Sequence, residues 1–505
     1  MKKYLSLLLV FLMVASLGVS VAEGDKTTIS VAIFDRGAVP ADKGSYEDNW
    51  VTQWINENAP VNVQFVPVPR WETYSTYSLW LASDTPTDVF MEFQPDYVQE
   101  WSGEGVLYEL GDLIDEYAPN YRALTPQVVQ DWGKYNNGEY AMVDARAETA
   151  VINWMIYIRA DWLENLGLEM PTTLDELKEV IRAFTEDDPD GNGENDTWGW
   201  SFSLLGAGII KDMFGCHEDS WIVEDGKFIS AYISKRALAA NKYMEEIYDN
   251  GWCDIEYLSD TNGTNAYAQF SSGKLGIICC GLGYLSSTIW EPLMANEPDA
   301  KVVPLPSVTE FGYYQERECS LLNMIPATSQ NAIGAVQYLD WMLSEGWQTV
   351  KYGEPGVDFE YQGDLIVRLT SDEEYSAKFG YTQEYAVLST YKDTIDMYRQ
   401  SYEAYDDSNL KKAAYLIQAD SMDLTKDIKF YRATPITNLG IRSFNELMPD
   451  MNTIAAEYWA KALHDTEFTS EQAQAAIIDE WAGMGYDEVE ADYNATCAEL
   501  GYEAK

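Results

Sequence analysis

The chain has 505 residues, of which 83 are acidic and 33 basic, giving a formal charge of −50. So anionic a surface repels nucleic acid and anionic lipid and disfavours a polyanionic ligand, which leaves neutral or cationic ones. With 46% hydrophobic residues, a chain of this length fills two or three domains of ordinary size.

The chain opens on Lys2 and Lys3, a nearly unbroken apolar run from Leu5 to Val19, and the small residues Ser20-Val21-Ala22. That order predicts an export signal over residues 1–22, since the run is shorter than the roughly 20 residues a membrane-spanning helix needs. No cysteine stands near the cleavage point to carry a lipid. The expectation is therefore a secreted chain, in the periplasm or on the outer face of the envelope.

Ile29, Val31 and Ile33 alternate toward one face and predict a strand that ends at Phe34-Asp35-Arg36-Gly37. A helix with Trp50, Trp54 and Ile55 leads to a second strand, Val61 to Val68. The loop Pro67-Val68-Pro69-Arg70-Trp71 follows, then a helix through Tyr77, Leu79 and Leu81, then a third strand over Asp88 to Glu92. Strand–helix–strand order signifies an α/β domain with a largely parallel sheet. Ligands of such sheets bind beyond the carboxyl ends of the strands, which puts Asp35, Trp71 and Glu92 on one rim.

Leu107, Leu110, Leu113, Ile114 and Tyr117 recur at helical spacing up to Pro119. Residues 151–158 read as a long apolar strand. Thr173 and Glu176 form a capping-box pattern before the stripe Leu174, Leu177, Val180, Ile181 and Phe184. Further on, the pattern predicts a helix over 235–248, strands over 275–280 and 319–325, and a helix bearing Tyr338 and Leu339. The last hundred residues read as mostly helical, with 452–463 and 470–484 as clear pieces.

Asp188, Asp190, Asn192 and Asp196 supply oxygen donors at positions 1, 3, 5 and 9 of a calcium-type loop. Gly193 stands at the turn position and Glu194 at the one that offers a backbone carbonyl. Position 12 is Gly199 instead of the bidentate glutamate, so an intact EF-hand is excluded. The donor set predicts structural Ca²⁺, with an acidic turn as the alternative. Six cysteines and two histidines offer little for zinc or redox chemistry. Cys216 with Cys253 is the one disulfide pair considered.

Several stretches resemble the extracellular solute-binding proteins of the maltose-binding type, in their large oligosaccharide-binding branch, which includes alginate-binding proteins. They are Leu107–Ile114, Tyr157–Leu168 with Pro171-Thr172-Thr173, the Asp188–Trp198 loop, Phe270–Gly276 and Tyr352–Asp358. The resemblance implies an α/β fold of two lobes joined by crossing strands, with a sugar held between them and delivered to the permease of an ABC importer. On that basis the first lobe takes residues 25–150 plus about 320–380. The second takes 155–315 plus about 381–505, with the calcium loop as an insertion over 187–198. A monomer is expected.

Sugars present C–H faces, which aromatic rings cover, and hydroxyl edges, which polar side chains bind. With 17 tryptophans and 35 tyrosines the chain is rich in such rings. The candidate platforms are Trp71, Trp154, Trp290, Tyr284 and Tyr314; the candidate hydroxyl partners are Asp35, Glu92 and Arg432. No Gly-x-Ser-x-Gly, His-Glu-x-x-His or phosphate-cradling loop occurs, so no catalysis is expected. A glycoside hydrolase and a non-transport surface adhesin or sensor partner are the alternatives.

Overall fold

The computed structural model describes residues 26–504 apart from 137, 147–153, 204–205, 219, 261, 282, 310, 312–317, 364, 391–393, 404, 425–440 and 500–502. The export signal read at 1–22 lies outside the described residues, as do Tyr314 and Arg432.

Eight strands build the two main sheets. They are β1 (Thr28–Asp35), β2 (Asn62–Pro69), β3 (Phe90–Glu92), β4 (Ala141–Ala145), β5 (Trp154–Arg159), β6 (Ile277–Gly281), β7 (Val302–Pro304) and β8 (Cys319–Met324). β1 and β2 pair in parallel from Thr28 opposite Asn62 to Asp35 opposite Pro69. β3 continues the parallel set through Val31 and Val89. β8 then inserts between β3 and β4, antiparallel to both. The first sheet therefore runs β2-β1-β3-β8-β4, and only β8 points the other way. The second sheet is β6-β5-β7, with both outer strands antiparallel to β5.

β1 departs from simple alternation. Ala32 and Phe34 are as fully buried as Val31 and Ile33, because helices cover both faces of this central strand. Its two faces feed different clusters: Ile29, Val31 and Ile33 pack with Tyr338 and Leu339, whereas Ala32 packs with Tyr77, Phe90 and Trp101. The helix predicted from Leu107 begins only at Gly111. Leu107 instead bridges to Pro326, and the Glu109 carboxylate accepts the N–H of Gly111 at 3.1 Å. Pro119 ends that helix but opens the next, which runs to Leu124.

In the second lobe, α1 (Leu174–Glu186) buries the predicted stripe apart from Leu174, which is half-buried and packs against its rim. Thr173 caps it as expected, accepting from Glu176 N at 3.2 Å. The returning carboxylate of Glu176 reaches Thr172 rather than Thr173, one residue early. α2 (Lys235–Asp249) packs its middle residues Tyr243, Met244 and Ile247 on this core. Its first turns, Ala237 and Ala240, belong to a third cluster with the C-terminal helices.

Those helices follow α3 (Trp347–Tyr352), the hairpin β9 (Phe359–Gln362) and β10 (Leu365–Arg368), and the pair α4 (Ile395–Glu403) and α5 (Lys412–Asp423). They are α6 (Arg442–His464), α7 (Ser470–Met484) and α8 (Tyr486–Glu499). α6 extends ten residues before the predicted Asn452 and contains Pro449. The segment assigned to the second lobe from about residue 381 does not start there, since Tyr385–Leu388 pack into the first core. All six cysteines are free and buried. Cys216 sits in the third cluster and Cys253 in the second, so the pair considered from sequence is unbridged.

Candidate functional site at the facing strand ends

The carboxyl ends of β1, β2, β3 and β4 lie at one edge of the first sheet, beside the start of antiparallel β8. The chain leaves this edge after Arg146 to begin β5, returns to it at Glu318, and leaves again after Thr390 toward α4. In the second sheet the start of β5 meets the end of β6, where Trp154 pairs with Gly281.

At the first edge Arg70 is the hub. Its guanidinium stands 4.6 Å from the ring centre of Phe34, 5.2 Å from that of Phe93 and 5.4 Å from that of Trp71. Glu92 lies 3.4 Å from Arg70 Nη1, accepts from the Thr73 hydroxyl, and takes the N–H of Phe93 at 2.7 Å. Glu92 is only 1% exposed, so both oxygens are committed within the protein. Sequence reasoning offered it as a hydroxyl partner; here it holds Arg70, which in turn braces the rings. Trp71, on a single 3₁₀ turn (Arg70–Glu72), is 89% exposed. An indole so bare, fixed by Pro69 before it and a cation beside it, is a ready stacking surface. Asp35 is half-buried and accepts the N–H of Gly37 at 2.8 Å, closing the turn after β1.

At the second edge Trp154 is half-buried and Tyr284 is 45% exposed. A Cβ added to Gly281 would sit 3.1 Å from the Trp154 ring and 3.0 Å from that of Tyr284. The glycine is what lets these two rings converge. Tyr267 packs behind Tyr284 at a tilt of 39°, with ring centres 5.3 Å apart. Trp290 does not join them. It is buried at 6% exposure and donates its indole N–H to Leu410 O at 2.8 Å, so in this structure it offers no open face.

The crossing segments are tied together on the first-lobe side. Ser389 donates its N–H (2.8 Å) and its hydroxyl (3.1 Å) to Asp144 Oδ1, and Arg146 N–H bonds Glu318 O at 2.8 Å. Burial raises the Asp144 carboxyl to about 6, against the opposing pull of Lys351 and the Ser389 bonds.

The calcium-type loop is closed by its own groups. Gly193 N–H bonds Asp188 Oδ2 at 2.9 Å, Glu194 N–H bonds Asn192 Oδ1 at 2.7 Å, and Asn192 Nδ2 reaches both Asp190 and Asp196. Lys274 pairs with Asp196. Asp188 Oδ1 is buried without a hydrogen-bond partner among the described residues. Among those residues no group of three or more His, Cys, Asp or Glu side chains is gathered closely enough to hold an ion. The donors fit a hard cation in kind, oxygen throughout, but are not drawn onto one point.

Sequence reasoning missed a second aromatic group, beside the third crossing. Trp347, Tyr352, Tyr361 and Tyr375 line a cavity from the first lobe, and Tyr398, Tyr402, Tyr405 and Tyr415 line it from α4, α5 and the turn between them. The signal was present in the spacing of Tyr398, Tyr402 and Tyr405, which puts three rings on one side of a helix and its exit.

The model of the family described as bacterial extracellular solute-binding protein matches residues 37–349. The polygalacturonan/rhamnogalacturonan-binding protein YtcQ of Bacillus subtilis is 34% identical over 177 residues, 34% of each chain. The match spans about a third of the length of such curated relatives. Among solved structures, the HMO-binding ABC-transporter-associated solute-binding protein of Bifidobacterium longum infantis superposes with a TM-score of 0.69 at 16% identity, covering 94% of this chain and 99% of that one. The alginate-binding protein AlgQ2 without calcium ion gives 0.67 at 18% identity, covering 94% and 98%. At such identities the superpositions establish a shared two-lobed α/β fold.

Proposed function

The chain belongs to the bacterial extracellular solute-binding proteins, and from that premise we propose that it is the substrate-binding component of an ABC-type carbohydrate importer, capturing an oligosaccharide between its lobes. The observation that carries this reading is an open aromatic surface at the strand ends of each sheet: Trp71 at 89% exposure in the first, Tyr284 at 45% beside Trp154 in the second. Ring faces cover the C–H faces of a pyranose or furanose, and polar groups of the loops take its hydroxyls. Asp35, Tyr314 and Arg432 are proposed for that second task or for stacking, and Glu92 acts through Arg70. A net charge of −50 favours an uncharged sugar over a uronate chain.

In this reading the sugar touches both lobes and is bound better when they approach, so it shifts the population toward a closed form that the permease recognises. The protein works as an exported monomer and performs no reaction itself. The loop of Asp188, Asp190, Asn192, Glu194 and Asp196 is proposed to hold a structural Ca²⁺, which would satisfy Asp188 Oδ1 and stiffen the insertion.

Calorimetric titration of the exported chain with neutral tetrasaccharides, alongside tetragalacturonate, tests the proposal. Binding of at least one neutral glycan, with no new reducing ends on prolonged incubation, is the expected result. Steady release of reducing ends would convert the reading to a glycoside hydrolase.

A further inference from the structure

Asp144 stands near the end of β4, just before the chain first leaves the first sheet, and Ser389 just before it leaves for the last time. Both Ser389 bonds, from the N–H at 2.8 Å and the hydroxyl at 3.1 Å, fall on one oxygen, Asp144 Oδ1. Thr390, the next residue, accepts the indole N–H of Trp347 at 3.1 Å, and Tyr385–Leu388 are sunk in the first core. Among the described residues, Ser389 and Thr390 are thus the last anchored ones before the third crossing, and a carboxylate beside the first crossing holds Ser389. We infer that Asp144 is a proton-sensitive latch: its charge fixes the pivot of the first and third crossings, and its protonation frees that pivot and weakens ligand binding. The inference rests on the hinge movement in the proposed function, not on which ligand drives it.

A carboxylate accepts hydrogen bonds about twice as strongly as a neutral group, so the tie to Ser389 depends on the charge. Asp144 is buried, and burial pushes its carboxyl up to about 6. Lys351 on α3 and Arg146, two residues further along the chain, both favour the anion. The Tyr121 phenol accepts the neighbouring N–H of Val143 at 3.0 Å, and the buried Cys319 thiol lies on β8 across from Ala145. Half-buried Glu384 is a second carboxyl drawn to Lys351; burial raises it as well, against the pull of Arg36 at 2.7 Å. A change of charge within the extracellular pH range therefore falls where two crossings meet.

An unlatched pivot has more freedom, which closure must remove, so the closed form prefers the anion and ligand binding expels the proton. Affinity is then full above about pH 7 and falls as the pH drops through about 6.

The test uses the full exported chain with nitroxides at Ser83→Cys in the first lobe and Asp299→Cys in the second, both exposed positions. The six native cysteines are buried and stay unlabelled. Pulsed dipolar spectroscopy of the unliganded chain reads the inter-lobe distance at pH 5 and pH 7.5, and calorimetry reads binding of maltotetraose and lacto-N-tetraose. The expected result is a broader distance distribution at pH 5, with an affinity about three- to tenfold lower there for a sugar that binds. Asp144→Asn, whose amide oxygen accepts as the protonated acid does, should give the broad distribution and the lower affinity at both pH values. Ser389→Ala should broaden the distribution at pH 7.5, and Glu384→Gln should respond to pH as the wild type does. A wild-type distribution that is the same at both pH values overturns the inference, as does a response lost in Glu384→Gln and kept in Asp144→Asn. An affinity that follows pH while the distance does not also overturns it, since the charge would then act on the sugar directly. If the distance follows pH through Asp144 and neither sugar binds, the latch stands and the carbohydrate reading loses its support.

Discussion

At the scale of single residues, exposure separates the proposed contact residues from those that support them. Trp71 contributes almost nothing to the core, so Trp71→Ala should leave the melting point within a degree or two while weakening sugar binding by about ten- to a hundredfold, read by calorimetry. Asp144 makes the opposite case. Its buried carboxyl is raised to about 6, so between about pH 4 and pH 6 the folded chain holds this proton more firmly than the unfolded one. Its unfavourable contribution is therefore absent below that window and complete above it. Asp144→Asn keeps an oxygen for Ser389 and removes the charge. It should raise stability at pH 7.5 by up to about 2–3 kcal/mol and not at pH 4, measured as the difference from wild type in paired thermal scans. Trp71 was legible because Pro67-Val68-Pro69-Arg70 forces the chain outward at the end of a strand. Trp290 was not, because its burial depends on Leu410, 120 residues away, and no local pattern carries that contact.

At the scale of elements, periodicity located most helices and strands, and it failed where a neighbour overrode it. The run from Leu107 kept helical spacing, but its first residues found β-type partners at Ile325 and Pro326. β6 shows how tightly a strand can be held to its helix. A methyl group on Gly276, just ahead of it, would lie 2.1 Å from the Phe184 ring on α1 and 2.9 Å from Trp162. Gly276→Ala should cost on the order of 2–4 kcal/mol through overpacking, seen as an earlier melting of the second lobe. The acidic loop after α1 makes a separate prediction. Calcium at a hundredfold excess over its dissociation constant should stabilise the folded chain by about 2.7 kcal/mol against chelator, and Asp188→Asn should abolish that increment while leaving the chelated melting point unchanged. No shift between calcium and chelator in the wild type would leave the loop as a self-bonded turn.

At the scale of the whole molecule, the proposed function requires the two lobes to act as a hinged pair, and a sugar that touches both should compact them. Small-angle scattering should show a smaller radius of gyration with a bound neutral tetrasaccharide, and an unchanged radius would argue against closure. The two-lobed plan could be inferred from the strand–helix order and the motif resemblance. The point at which the chain finally leaves the first lobe could not, because Tyr385–Leu388 look like any apolar segment until the core that receives them is known. The placement of β8 between β3 and β4 also governs the order of assembly. A growing chain on the ribosome exposes two unsealed strand edges in its amino-terminal half until residue 324 has been made. The second lobe waits longer still, since its core also takes in Ile395, Ala414 and Met422.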